Sequence, residues 1–429
     1  MAFCTLGCKV NQYDTQAMLE QFLAAGYGQA DFDGAADVYV INTCTVTGMG
    51  DKKSMQAVRR ALRRNPAAAV VIAGCLAQRA GQSLCAPGVR LVLGTQRRGE
   101  VVQLLHRAMA EDIALVAVDA LTEAPFEALA VTALDGHTRA VLKIQEGCDR
   151  FCTYCVIPSV RGPVRSRPLA EVAAEARRLG AQGFREIVIT GIHVTSYGKD
   201  WGGEAGLLDA IRAVHGAVGI KRVRLSSLEP LIATQAFVDA LADLPKLCPH
   251  FHLALQSGSD TVLRRMGRRY TAAEFLDACA RLRAAFPQAA ITTDVMTGFP
   301  GETEAEFAQT QDTVARARFA RLHVFPYSER QGTTAVQMPG AVPKALRTAR
   351  ARTLIAQGEA LQRAYIESLV GTVQPVLWEE DAPGCDTLGY TPQYVRVRAR
   401  GGQLGAIQPA RLLARQGEEA LGELCADQK

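Results

Sequence analysis

The chain has 429 residues, enough for roughly three domains of about 150 residues, each long enough to bury its own core. Apolar residues make up 48% and charged residues 21%, a composition that excludes intrinsic disorder. The net charge is only +5, and although 39 of the 48 basic residues are Arg, a coding bias accounts for that as well as selection for a phosphate partner does. No apolar run approaches the roughly 18 residues of a membrane span, and the N-terminus lacks the basic, apolar and small-residue pattern of a secretory leader. We therefore expect no membrane association and a cytoplasmic protein.

The first hundred residues alternate strand-like and helix-like segments. Ala2–Leu6, Val38–Asn42, Val70–Ala73 and Val89–Leu93 read as buried strands, with helical periodicity over Tyr13–Ala25, Asp51–Arg64 and Arg97–Met109. Such alternation predicts a doubly wound parallel sheet over 1–110, whose ligands gather at the carboxyl ends of the strands. The first three strands each run into a cysteine there: Cys8, Cys44 and Cys75.

Residues 110–138 carry no strong pattern and read as a connector. Six more strand-like runs follow: Ala140–Gln145, Glu186–Gly191, Arg222–Ser227, His252–Ser257, Ile291–Thr297 and Leu322–Tyr327. The helical segments between them predict a partial (β/α)6 barrel over 134–364. From 365 to 429 the pattern turns to short strands, Val373–Trp378 and Tyr394–Ala399, implying a small all-β module. Within it Arg396, Arg398 and Arg400 share one strand face, opposite Val395 and Val397. That face suits either a solvated exterior or a track for a nucleic-acid backbone.

Of the twelve cysteines, three form a compact group, Cys148, Cys152 and Cys155, directly after the first barrel strand. Structural zinc asks for four protein ligands, and no fourth cysteine lies near. An iron–sulfur cube with one open iron suits three thiolates better, and it favours one-electron chemistry.

The run Gly147-Cys148-Asp149-Arg150-Phe151-Cys152-Thr153-Tyr154-Cys155 resembles the signature of radical S-adenosylmethionine (SAM) enzymes. The resemblance implies a 4Fe-4S cluster on Cys148, Cys152 and Cys155, with SAM chelating the open iron and yielding a 5′-deoxyadenosyl radical on reductive cleavage. Thr5–Gln12, Asn42–Val46 and Gly74-Cys75 resemble the N-terminal domain of methylthiotransferases, in which the cysteines matching Cys8, Cys44 and Cys75 hold a second 4Fe-4S cluster. The last module resembles that family's RNA-binding TRAM domain. Blocks 147–155, 161–168, 190–193, 225–230 and 293–303 are similar to the branch acting on N6-threonylcarbamoyladenosine 37 of tRNA. That branch uses one SAM as radical source and one as methyl donor.

The resemblance also implies lesser roles. Gly191, His193, Gln256, Gly298, Gly301 and Glu302 stand at strand ends as candidate SAM-binding positions. Arg165 replaces an apolar residue typical of the isopentenyladenosine branch, and a guanidinium matches the threonyl carboxylate. Arg396 and Arg398 are candidate RNA contacts, as is the basic cluster Arg264, Arg265, Arg268 and Arg269. No side chain is assigned as a catalytic acid or base. Expected partners are the tRNA anticodon stem-loop, an electron-donor protein and a sulfur source. Competing readings are a methylthiotransferase for isopentenyladenosine or for a ribosomal-protein aspartate, and a non-enzymatic iron–sulfur RNA-binding regulator.

Overall fold

A computed structural model describes residues 1–121, 125–129, 131 and 138–425. Part of the expected connector, and the expected domain start at 134, lie outside the described residues.

The N-terminal unit is a parallel sheet of β1 (Ala2–Thr5), β2 (Val38–Thr43), β3 (Ala69–Gly74), β4 (Val89–Leu93) and β5 (Leu115–Ala117), in that order. β5 falls in the stretch that sequence reading leaves without structure. Alternate residues of β2 serve opposite faces. Val38 and Val40 pack with Met18 and Phe22 of helix Lys9–Ala24, while Tyr39 and Ile41 pack with Val58 and Ala61 of helix Gly48–Arg64. Helices on both faces make the sheet doubly wound. An isolated parallel bridge from Ala2 to Ala30 lies on the side of β1 away from β2. The chain therefore leaves β1 to one side and returns on the other, and the carboxyl ends of β1 and β2 flank the crevice in which open α/β sheets bind ligands.

Helix Lys9–Ala24 is buried on two faces. Met18, Leu19 and Phe22 join the core of their own sheet, whereas Tyr13 and Ala17 join the core of the next unit. That unit comprises β6 (Arg139–Glu146), β7 (Arg165–Ser166), β8 (Glu186–Gly191), β9 (Arg222–Leu225), β10 (His250–His252), β11 (Ala290–Thr297) and β12 (Arg321–Pro326). β7 lies antiparallel on β6, and β6, β8 and β9 run parallel, as do β10, β11 and β12. Bridges Val223–Leu247 and Leu228–Leu253 join the two sheets into an open six-stranded barrel. The expected strand His252–Ser257 ends early as a regular ladder. Leu255 N–H donates to the Thr293 hydroxyl rather than to a strand carbonyl, and Gln256 takes a positive φ of 64°. Helix Lys344–Ser368 closes the unit.

The last unit is a closed barrel of β13 (Val373–Ala382), β14 (Asp386–Tyr390), β15 (Arg396–Arg400), β16 (Ile407–Gln416) and β17 (Glu419–Leu424). Only parts of two of these strands were legible beforehand. It seats against the start of the large barrel's strands. Arg222 donates to the carbonyls of Tyr390 and Pro375, Arg224 donates to that of Pro392 at 2.8 Å, and Arg139 pairs with Glu379 at 2.7 Å. Tyr390 and Tyr394 stack 4.8 Å apart, with Arg139 over both rings. No helix among the described residues is long and apolar enough to cross a membrane.

Candidate active site between the three units

Cys8, Cys44 and Cys75 each follow a strand of the N-terminal sheet. The loops carrying them are locked by amides. Asn11 Nδ2 donates to the carbonyls of Leu6 at 2.7 Å and Thr43 at 2.9 Å, and Asn42 Nδ2 donates to that of Asn11 at 2.9 Å. Gly7 has φ +108°, and a Cβ there would stand 3.0 Å from that of Cys44, so the loops of Cys8 and Cys44 touch. Gly74 has φ +92°, and a Cβ there would overlap Asn42 Oδ1. Gly74→Ala is therefore expected to destabilise the fold by about 1–2 kcal/mol or more and to displace Cys75. Urea unfolding tests this, and an unchanged midpoint would contradict it. Cys8 is exposed, Cys44 half-buried and Cys75 buried. Burial pushes the Cys75 thiol up to about 11, although the Arg161 guanidinium, with Nε 3.1 Å from Sγ, opposes it.

The second triplet lies on the loop after β6. Gly147, at φ +74°, lets the backbone pass where a Cβ would overlap the Pro163 carbonyl. The loop is pinned by Cys148 N–H to Gly162 O at 3.0 Å, Thr153 N–H to Met266 O at 3.1 Å, and Ala335 N–H to Thr153 O at 2.8 Å. Two thiols accept hydrogen bonds: Cys155 Sγ from Ile157 N–H at 3.4 Å and Cys152 Sγ from Arg268 Nη1 at 3.3 Å. Burial pushes Cys148 up to about 11 and Cys155 up to about 12, so a metal that binds these thiols releases their protons. Among the described residues no group of three His, Cys, Asp or Glu side chains closes around a single ion. The donor set at each triplet, three thiols without a fourth protein ligand, fits a cluster with an open iron.

Arg268 is itself held by Glu229, which accepts from its Nη2 at 2.6 Å and lies 3.6 Å from His193 Nε2 and 3.9 Å from Arg150. Burial pushes the Glu229 carboxyl up, but His193, Arg268 and Arg150 outweigh it and hold it at about 2. A depressed carboxylate contributes stability above its unfolded value, 4.5, that is lost as pH falls toward about 2. Stability is therefore expected to fall through this acid window in the wild type, and less steeply in Glu229→Gln. Equal slopes in acid-denaturation curves would contradict this.

Between the triplets lies a buried ionic network. Asp14 meets Lys143 at 2.6 Å, Arg161 at 3.0 Å and Arg98 at 3.2 Å; Glu146 meets Lys143 and Arg161, each at 3.0 Å. These five side chains are at most 4% exposed. Asp14 and Arg98 belong to the N-terminal unit, while Lys143, Glu146 and Arg161 belong to the barrel, so the network fastens one unit to the other. Sequence reading missed it, and missed Glu229 as a partner of Arg268. The available signal was Arg161, basic and only six residues beyond Cys155.

A cavity of about 1090 Å³ collects residues from all three units: Cys8 from the first; Cys155, Gly191 and Gln256 from the second; Tyr394 and Arg396 from the third. Other expected site residues lie off its lining. His193 points to Glu229 and Ser196, with Nδ1 2.7 Å from the Ser196 hydroxyl. The close approach at Gly298 is to Arg347, whose Cγ a Cβ would overlap, and Gly301 N–H donates to Gly340 O at 2.7 Å. Glu302 accepts from Gly298 N–H at 2.8 Å and pairs with Arg350 at 2.7 Å, which braces the turn. Arg165 is 7% exposed; its Nη2 donates to Arg161 O at 2.8 Å, and its Nε has no acceptor.

The arginine face of β15 is neutralised rather than open. Arg396 pairs with Glu380 and Glu419, Arg398 with Glu419 and Asp386, and Arg400 with Asp386. In the other basic cluster Arg268 is committed to Glu229 and Arg265 to Glu306.

Residues 142–314 match the Radical SAM superfamily model, which places the chain among radical SAM enzymes, and residues 1–94 match the model described as uncharacterized protein family UPF0004. The solved structure of the radical SAM methyltransferase TsrM from Kitasatospora setae shares the fold, with TM-score 0.55 at 14% identity over 75% of this chain and 72% of that one. Among curated proteins, threonylcarbamoyladenosine tRNA methylthiotransferase MtaB of Bacillus subtilis is 42% identical over 96% of this chain and 93% of its own length. The protein of that name from Thermotoga maritima is 34% identical over 95% of this chain and 93% of its own length. A tRNA-2-methylthio-N(6)-dimethylallyladenosine synthase of Parafrankia is 40% identical over 86% of this chain and 75% of its own length. The chain belongs to the methylthiotransferase family of radical SAM enzymes. Membership implies a 4Fe-4S cluster and SAM as cofactors.

Proposed function

We propose that this enzyme converts N6-threonylcarbamoyladenosine at position 37 of tRNA to its 2-methylthio derivative. The observation that carries the reading is the shared cavity, with Cys8 of one thiol triplet and Cys155 of the other on its wall. A base held there faces both triplets at once. Cys148, Cys152 and Cys155 are proposed to hold the radical-SAM cluster, and Cys8, Cys44 and Cys75 a second 4Fe-4S cluster. When bound, these groups supply one-electron chemistry and sulfur for a carbon–hydrogen bond that acid–base groups cannot activate.

The chain's own part is positional. Gly191 and Gln256 line the cavity where SAM is expected. Arg268 and Arg161 each place a guanidinium against one thiol of a triplet, at 3.3 and 3.1 Å. Arg165 is proposed to pair with the threonyl carboxylate. The anticodon stem-loop is the proposed RNA contact, and an electron-donor protein and a sulfur source complete the reaction. Residues 1–110, 134–364 and 365–429 are the proposed domains.

The reading is tested by supplying the reconstituted enzyme, SAM and a reductant with tRNA bearing either threonylcarbamoyl or dimethylallyl adenosine, then analysing nucleosides by mass spectrometry. The expected product forms only from the first tRNA. Product from the dimethylallyl tRNA alone would move the enzyme to the sister branch, and Arg165→Ala is expected to weaken the preference.

A further inference from the structure

Helix Gly48–Arg64 leaves the site of Cys8, Cys44 and Cys75 directly. Its N-cap, Thr47, accepts from Gly50 N–H at 3.1 Å, and Ser54 Oγ donates to the Cys44 carbonyl at 3.3 Å. Its inner face, Ser54, Ala57, Val58 and Ala61, is buried. From Lys52 onward every exposed residue except Gln56 is basic: Lys52, Lys53, Arg59, Arg60, Arg63 and Arg64. Arg60 and Arg64 share the half-exposed Asp33 at 3.5 Å. Lys52, Lys53, Arg59 and Arg63 pair with no carboxylate among the described residues.

Helix stability does not explain this face. Arg63 and Arg64 complement the macrodipole in the last turn, but Lys52, Lys53 and Arg59 lie outside it and gain nothing from the macrodipole. At about 1.5 Å rise per residue, Lys52 to Arg63 spans roughly 16 Å. One nucleic-acid strand presents about five phosphates over that length, at roughly 3.4 Å each. The arginines on β15, by contrast, are already paired with Glu380, Asp386 and Glu419.

We propose that the exposed face of helix Gly48–Arg64 is a phosphate-backbone track for the RNA substrate, guiding it to the cavity at the helix's N-terminal end. The inference rests on the tRNA reading above and adds a docking surface in the N-terminal unit. Arginine forks suit phosphate oxygens, and flexible lysines add point charge.

The test compares full-length wild type with Lys52→Gln, Lys53→Gln, Arg59→Gln and Arg63→Gln, singly and combined. The ligand is tRNA bearing N6-threonylcarbamoyladenosine, and binding is measured over a salt series. Each substitution is expected to reduce the slope of log affinity against log salt by about 0.7–0.9, and the combined variant to bind about tenfold or more weakly near physiological salt. Because all four side chains are exposed, the urea midpoint should not move. An unchanged slope and affinity in the combined variant would overturn the proposal while leaving the tRNA reading intact. So would unchanged tRNA binding with slower reduction by an acidic electron-carrier protein, which would make this face a protein-docking surface. Wild type that binds tRNA with the expected slope but forms no methylthio nucleoside would instead overturn the proposed function and leave the track standing.

Discussion

Cys155→Ala is expected to abolish both SAM cleavage and methylthio product, whereas Cys8→Ala abolishes the product and leaves SAM cleavage in place. The two residues share one cavity wall but belong to different triplets, so each variant removes a different proposed centre. Each should also halve the iron, from about eight atoms per chain to about four. Cys8 is exposed on the loop after β1, so its replacement leaves no cavity in a core, and its loss of product cannot be assigned to unfolding. If Cys8→Ala keeps full iron and full product, the second cluster is misassigned. If it loses SAM cleavage as well, the two centres do not act separately.

Arg161→Met is expected to cost about 3–5 kcal/mol, the cost of breaking a buried ion pair by removing one partner. Its guanidinium is 0% exposed and touches Asp14, Glu146, Asn11 and Cys75. Removing it leaves two buried carboxylates that Lys143 and Arg98 then satisfy incompletely. Burial pushes both carboxyls up, yet the surrounding cations hold Asp14 and Glu146 below the usual carboxylate range. Adding Asp14→Asn should recover part of the loss, because the excess negative charge is then reduced. A cost below about 1 kcal/mol in urea unfolding would show that the network is not a structural joint. Since Asp14 and Arg161 come from different units, the variant is also expected to loosen the N-terminal unit from the barrel, read as faster proteolysis between them.

Much of this architecture was legible because its signals are local. Buried parallel strands read as short apolar runs, and β4 and β8 were placed to the residue. The cysteine spacing at 148, 152 and 155 carried the chemistry, and the strand-end positions of Cys8, Cys44 and Cys75 carried the other triplet. What escaped depends on long-range pairing. β14, β16 and β17 are half-polar strands of a small barrel, with weak alternation. Glu302 reads as a cofactor contact because it follows a glycine turn, but the arginine that claims it stands 48 residues away on helix Lys344–Ser368. Arg396 and Arg398 read as free cations because Glu419, their shared partner, sits on a strand that carries no clear signal. Helix Gly48–Arg64 was found as a helix, yet only burial of its neighbours shows that its charged face is left open.

The most direct test is nucleoside mass spectrometry of tRNA from cells lacking this gene, with and without the gene restored. 2-Methylthio-N6-threonylcarbamoyladenosine is expected to disappear on deletion, to return with the wild-type gene and to fail to return with Cys8→Ala or Cys155→Ala. Persistence of that nucleoside at its normal level in the deletion, with no other gene supplying the activity, would contradict the proposed function.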